Sequence, residues 1–228
     1  EVIAEVTPEL KEGSLRVEPN ISVGLMCQER IQIDFHTPYI QESAQVLSLE
    51  EVSNRGGKVF WRGRLYDRLV FEPESYAEGR FELKDVTIGV NFHWERKENQ
   101  LFNGSIMFVP HDGGVYAVNI LKVEDYLLSV ISSEMHEGSS EEFLKAHAVI
   151  SRSWLLARPT LSGASVRDEQ SRYDFVENDT TRIKWYDRED HTFFDVCADD
   201  HCQRYQGLKR LSDPKMQRGV SQTRKLGN

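Results

Sequence analysis

No apolar run in this 228-residue chain reaches the roughly 18 residues that a helix needs to cross a bilayer. No leader pattern of basic, apolar and small residues precedes Glu1 either. The first absence excludes a helical membrane span. Two locations stay open, the cytoplasm or the far side of a membrane after removal of a leader. A basic excess is missing as well: 28 lysines and arginines face 37 aspartates and glutamates, and the net charge of -9 argues against a partner built of phosphates. No nucleic-acid-binding module is recognisable. Cysteine is scarce, at three residues. One of them, Cys27, lies in the apolar phrase ISVGLMC and reads as a buried core thiol.

The other two cysteines fall in HTFFDVCADDHC, where His191, Cys197, His201 and Cys202 offer the nitrogen and sulfur donors that tetrahedral zinc prefers. A Cys197–Cys202 disulfide is the competing reading in an oxidising compartment, and unligated thiols are a third. His201 and Cys202 are adjacent and would point to opposite faces of a strand. They can reach one metal only from a turn, for which Ala198, Asp199 and Asp200 are suitable residues. Four ligands would make the metal structural, whereas three would leave a position for catalysis.

The length suits one large domain or two small ones. Up to about residue 118 the chain consists of short β-branched and aromatic runs: ISVGLM, IQIDF, KVFWRG, FELKDVTIGVNFHW, SIMFV and VYAVNI. Gly56-Gly57 and Gly113-Gly114 are turn candidates. The period then lengthens. Val123, Tyr126, Leu127, Val130 and Ile131 form one apolar helical stripe that predicts a helix ending near Met135. A second helix is expected from Ser140 to Arg158, with Ser139 and Glu142 as a capping box. From Thr160 onward the sequence reads as polar and irregular.

Glu134 stands at the end of the first helix, at the border of its apolar stripe and before a loop, so its carboxyl can face a cleft and serve as a general acid. A solvated glutamate beside a helix end is the plainer reading. On the second helix Lys145 and Arg152 are seven residues apart and share a face, while His147 lies about 200° from Lys145. Solvent-facing stems for the two cations and a hydrogen-bonded imidazole are the plain readings there.

Three strings, NILKVEDYLLSVISSEM, LKAHAVISRSW and HCQRYQG, resemble the catalytic-domain signature of the stage II sporulation protein D family, which includes the amidase enhancer domain. VTIGVNFHWERKE, from Val86 to Glu98, looks like the version of that domain in Bacteroides-like bacteria, and the resemblance spans residues 81 to 211. It implies a lytic transglycosylase that cuts peptidoglycan between MurNAc and GlcNAc and leaves 1,6-anhydro-MurNAc ends, on strands stripped of stem peptides. A non-catalytic, peptidoglycan-binding amidase enhancer is the alternative. Carried over residue by residue, the family's acid falls on Glu134, and its substrate-binding positions fall on Lys145, His147, Arg152, Gln203 and Tyr205, with Gly207 closing the last motif. His147 stands where the family has glutamine. A structural zinc known in some members matches His191, Cys197, His201 and Cys202.

The resemblance further implies glycan strands and a cell-wall amidase as partners, and export to the cell envelope. The family continues beyond the tyrosine motif with a segment that does not follow here, so the C-terminal part is expected to be incomplete. The fold expected is α+β: a β-rich N-terminal portion against a helical pair that carries Glu134, then an irregular, zinc-stapled C-terminal part. Residues 1–80 read as an accessory β-rich region and 81–228 as the catalytic domain.

Overall fold

A computed structural model describes residues 18–89, 93, 95–136, 138–157, 176–183, 191, 193–208 and 214–224. Its N-terminal part is built of strands because β-branched and aromatic residues there alternate with polar ones, a period that suits a half-buried pleated surface. In order these are β1 (Asn20–Gln28), β2 (Arg30–Phe35), β3 (Tyr39–Gln41), β4 (Ala44–Val46), β5 (Leu49–Arg55), β6 (Lys58–Trp61), β7 (Arg64–Tyr66) and β8 (Leu69–Pro73). They are followed by β9 (Phe81–Ile88), β10 (Arg96–Phe102), β11 (Ser105–His111) and β12 (Gly114–Lys122). Next come helices α1 (Val123–Glu134) and α2 (Glu141–Leu156), a small hairpin of β13 (Val176–Glu177) and β14 (Arg182–Ile183), then β15 (Val196–Cys197) and helix α3 (Pro214–Gln222). The architecture is α+β, with a β-rich N-terminal part.

Apart from the β13–β14 hairpin, two sheets hold the strands, in the orders β15-β1-β12-β11-β8-β3-β4 and β10-β9-β2-β5-β6-β7. Every pairing is antiparallel except that of β15 with β1. The sheets face each other over an aromatic core in which Phe35 meets Tyr39 at 4.7 Å and Phe71 at 4.9 Å between ring centroids. The same core continues into the helices, where Tyr126, Leu127, Val130, Leu144 and Val220 are buried.

The division expected at residue 80 coincides with no break in this arrangement. β2 pairs with β9, and β1 pairs with both β12 and β15, so each sheet joins strands from the two sides of it.

Several local expectations shift by a residue. The β11–β12 hairpin turns on Asp112 and Gly113, with φ of 46° and 78°, as a two-residue loop between right-twisted strands requires; Gly114 is already in β12. Cys27 is exposed, not buried, because a bulge between Gly24 and Met26 shifts the alternation of β1 and turns Met26 inward. Ser140, not Ser139, caps α2: its Oγ accepts from Phe143 N at 3.3 Å, while Ser139 N donates to His136 O in the turn between the helices.

Helix α3 lies in the stretch read as irregular. Its signals are Pro214 at the first helical position and buried Met216 and Val220 one turn apart. Gly219 allows close packing, since a Cβ there would lie 3.2 Å from Leu144 Cβ of α2. No helix among the described residues is long and apolar enough to cross a membrane.

Candidate functional site

The segment that carries the soft ligands is anchored before it reaches them. Asp195 accepts from Ser22 N at 2.8 Å and Ser22 Oγ at 2.6 Å, β15 then runs alongside β1, and Ala198 N donates to Gly24 O at 2.9 Å. A turn follows, in which Cys202 N donates to Asp199 O at 3.0 Å. That turn removes the difficulty posed by adjacent ligands, because outside strand geometry His201 and Cys202 reach the same point.

Cys202 Sγ lies 3.4 Å from His191 Nε2 and 3.5 Å from His201 Nδ1, and Cys197 Sγ lies 3.8 Å from His201 Nδ1. All four donor atoms fall within 4.8 Å of one another. Tetrahedral zinc, with Zn–S of ~2.3 Å and Zn–N of ~2.0–2.1 Å, sets its S···N edges at about 3.6 Å. The cluster therefore fits a tetrahedral metal ion in both ligand chemistry and spacing. No disulfide joins Cys197 to Cys202. Hydrogen bonding with Cys202, then burial, pushes the Cys197 thiol well above its ordinary range, a preference that a thiolate-binding cation reverses.

The same turn touches Glu134. At the end of α1 the chain leaves helical geometry at Met135, whose N–H still bonds to Ile131 O, and the Glu134 carboxylate projects towards α2 and the ligand turn. Its Oε1 accepts from the backbone N–H of Arg204 at 3.0 Å, and its Oε2 lies 3.1 Å from His147 Nε2. The two side chains are 26% and 18% exposed. His147 Nδ1 is buried and has no hydrogen-bond partner among the described residues.

Of the residues expected around Glu134, the structure brings His147 to it and, through the backbone, the segment containing Gln203 and Tyr205. Lys145 turns instead to Glu142 at 2.8 Å and Glu141 at 3.4 Å. Those partners, Glu142 first, raise its pKa, and Lys145 in turn lowers that of Glu141.

Arg152 does not face solvent, which corrects the plainer reading made of it. It is 2% exposed and grips Glu124 of α1 with two bonds of 2.8 Å while donating to Thr223 O and Val220 O at the end of α3. Lys145 and Arg152 share a face of α2, but the part of that face carrying Arg152 is covered by α1 and α3. A guanidinium there satisfies the carbonyls of a helix C-terminus as well as a carboxylate.

Tyr205 is likewise a core residue. At 2% exposure it stacks on Phe102 and Tyr126, and its hydroxyl donates to Asn119 Oδ1 at 2.6 Å. Burial holds its phenol well above the usual range. Asn119 also donates to Asn103 O and Ser105 O, a role that its place inside the apolar run VYAVNI foreshadows. Gln203 accepts from Tyr126 Oη at 3.2 Å. Gly207 is required where it stands: its φ is 64°, and a Cβ would lie 2.2 Å from Leu101 O. A cavity of ≈ 200 Å³ adjoins the ligand turn, lined in part by Gly24, Cys27, Gln100, Asp199 and Arg204.

Comparison with protein families matches residues 111–226 to the stage II sporulation protein model. The chain belongs to the stage II sporulation protein D family. The match takes in α1, α2, all four soft ligands and α3. Membership points to a role at the cell wall. An uncharacterized protein of Brachyspira hyodysenteriae is 30% identical over 104 residues, which is 42% of this chain and 28% of that relative. The chain thus spans well under two thirds of the relative's length. No solved structure matches the chain.

Proposed function

We propose that the protein is a peptidoglycan lytic transglycosylase in which Glu134 acts first as acid and then as base. The observation that carries this reading is the setting of Glu134: a part-exposed carboxyl at a helix end, whose Oε1 accepts from Arg204 N–H of the ligand turn and whose Oε2 lies 3.1 Å from His147 Nε2 of α2. Among the described residues no second carboxylate is bonded to Glu134 or His147. A glycosidase that uses water needs two acidic groups, one of them as base or nucleophile. Lytic cleavage needs one, because the nucleophile is the C6 hydroxyl of the muramic acid itself.

Glu134 gives its proton to the glycosidic oxygen as the C1–O bond breaks. The C6 oxygen then bonds to C1, and its proton passes to Glu134, which restores the acid. The Arg204 N–H on Oε1 and the His147 imidazole beside Oε2 support the carboxylate charge that appears between these steps. Tethering of the nucleophile supplies effective molarity that water lacks.

The soft, four-ligand cluster favours zinc in a closed and therefore structural site. Peptidoglycan as substrate implies export to the cell envelope, and a cell-wall amidase is a fitting partner because it would generate the peptide-free strands. Incubation with peptide-free glycan strands, read by mass spectrometry for 1,6-anhydro-MurNAc ends, tests the proposal. Strands bound but left uncut would return the amidase-enhancer reading.

A further inference from the structure

We propose that His147 is the positioning residue for Glu134, a neutral imidazole with its proton on Nε2, and that it makes no contact with the glycan. The inference rests on Glu134 being the acid. An imidazolium must place two N–H groups, and here acceptors are supplied on one side only. Nε2 faces Glu134 Oε2 at 3.1 Å, whereas Nδ1 is buried with no acceptor among the described residues. A proton on Nδ1 would be a buried donor left unpaired, so the ring keeps a single proton and keeps it on Nε2. Burial of Nδ1 also removes it from the reach of a sugar hydroxyl.

The other charged groups around the pair are engaged elsewhere. On α2, Lys145 is held by Glu141 and Glu142, and Arg152 by Glu124 of α1. In the ligand turn the Arg204 guanidinium pairs with Asp200. His147 is thus the one side chain among the described residues that pairs with the Glu134 carboxyl. With Arg204 N–H on Oε1 and His147 Nε2 3.1 Å from Oε2, the carboxyl is flanked by two elements. His147 keeps its own proton through both steps, and its work is orientation and support of the carboxylate.

The test uses the full, zinc-loaded chain and peptide-free glycan strands. His147→Leu removes the donor and is expected to lower kcat by about tenfold or more with KM within about twofold. His147→Gln, which retains one N–H, is expected to stay within about threefold of wild type. In parallel, long-range 15N–1H spectra should show His147 neutral and protonated on Nε2, with that resonance moving in Glu134→Gln. A rise in KM at unchanged kcat, equal loss in both variants, or an imidazolium or Nδ1–H tautomer in the spectra would overturn the role. A wild-type chain that forms no anhydro ends would overturn the transglycosylase reading and this role together, whereas loss confined to KM overturns the role alone.

Discussion

Tyr205 and Arg152 show how one side chain's surroundings decide between contact with substrate and support of the fold. Both sit in motifs that imply a substrate role, and both are enclosed, the tyrosine with Asn119 and the arginine between three helices. Tyr205→Phe would leave Asn119 Oδ1 buried without its donor, a loss of about 1–3 kcal/mol. The expected outcome is a lower melting temperature, with turnover per folded molecule unchanged at low temperature. An unchanged melting temperature with tenfold less turnover would put the hydroxyl back at the substrate. At this scale the place of Glu134 at the end of α1 was legible, because the end of an apolar stripe is visible in the sequence. Its partner Arg204 N was not: the donor is a backbone group 70 residues away, and a backbone N–H leaves no mark on residue type. The position of His147 on the wheel, away from Lys145, was legible and is what separates it from the cations.

Among the elements, the ligand turn does two things at once. It gathers His201 and Cys202, and two residues later it presents Arg204 N–H to Glu134. Metal bound there would hold that donor in place, a preorganisation that lowers the cost of reaching the reactive geometry. Purified protein is expected to carry about one zinc per chain, and chelation should lower both melting temperature and turnover, with Cys202→Ser losing the metal. Full stability after chelation, or a Cys197–Cys202 disulfide in metal-free protein, would contradict this. β1, β2, β6, β9, β11, β12 and the first two helices could be read from the sequence pattern, whereas short strands such as β3, β4 and β7 could not. α3 could not: its nine residues bury only Met216, Gly219 and Val220, too few to establish a period. The bulge in β1 that exposes Cys27 is a backbone event with no signal in residue type.

For the whole molecule, the sandwich and the helices share one core, and the N-terminal strands are part of it. β1 lies between β12, which leads into α1, and β15, which leads into the ligand turn. A boundary drawn at residue 80 follows where the motifs begin, and pairing between distant strands is not written in composition. A fragment of residues 81–228 would lack β1 and β2 and expose the faces they cover; it is expected to show no cooperative unfolding transition, and a sharp one would contradict the shared core.

The central claim is that Glu134 carries the chemistry, and Glu134→Gln tests it most directly, since the amide nearly matches the carboxyl in shape but cannot deliver a carboxyl proton. With peptide-free glycan strands and mass spectrometry of the products, the account predicts that 1,6-anhydro ends fall by about a thousandfold or more while melting temperature and strand binding are retained. Turnover within about threefold of wild type would contradict it.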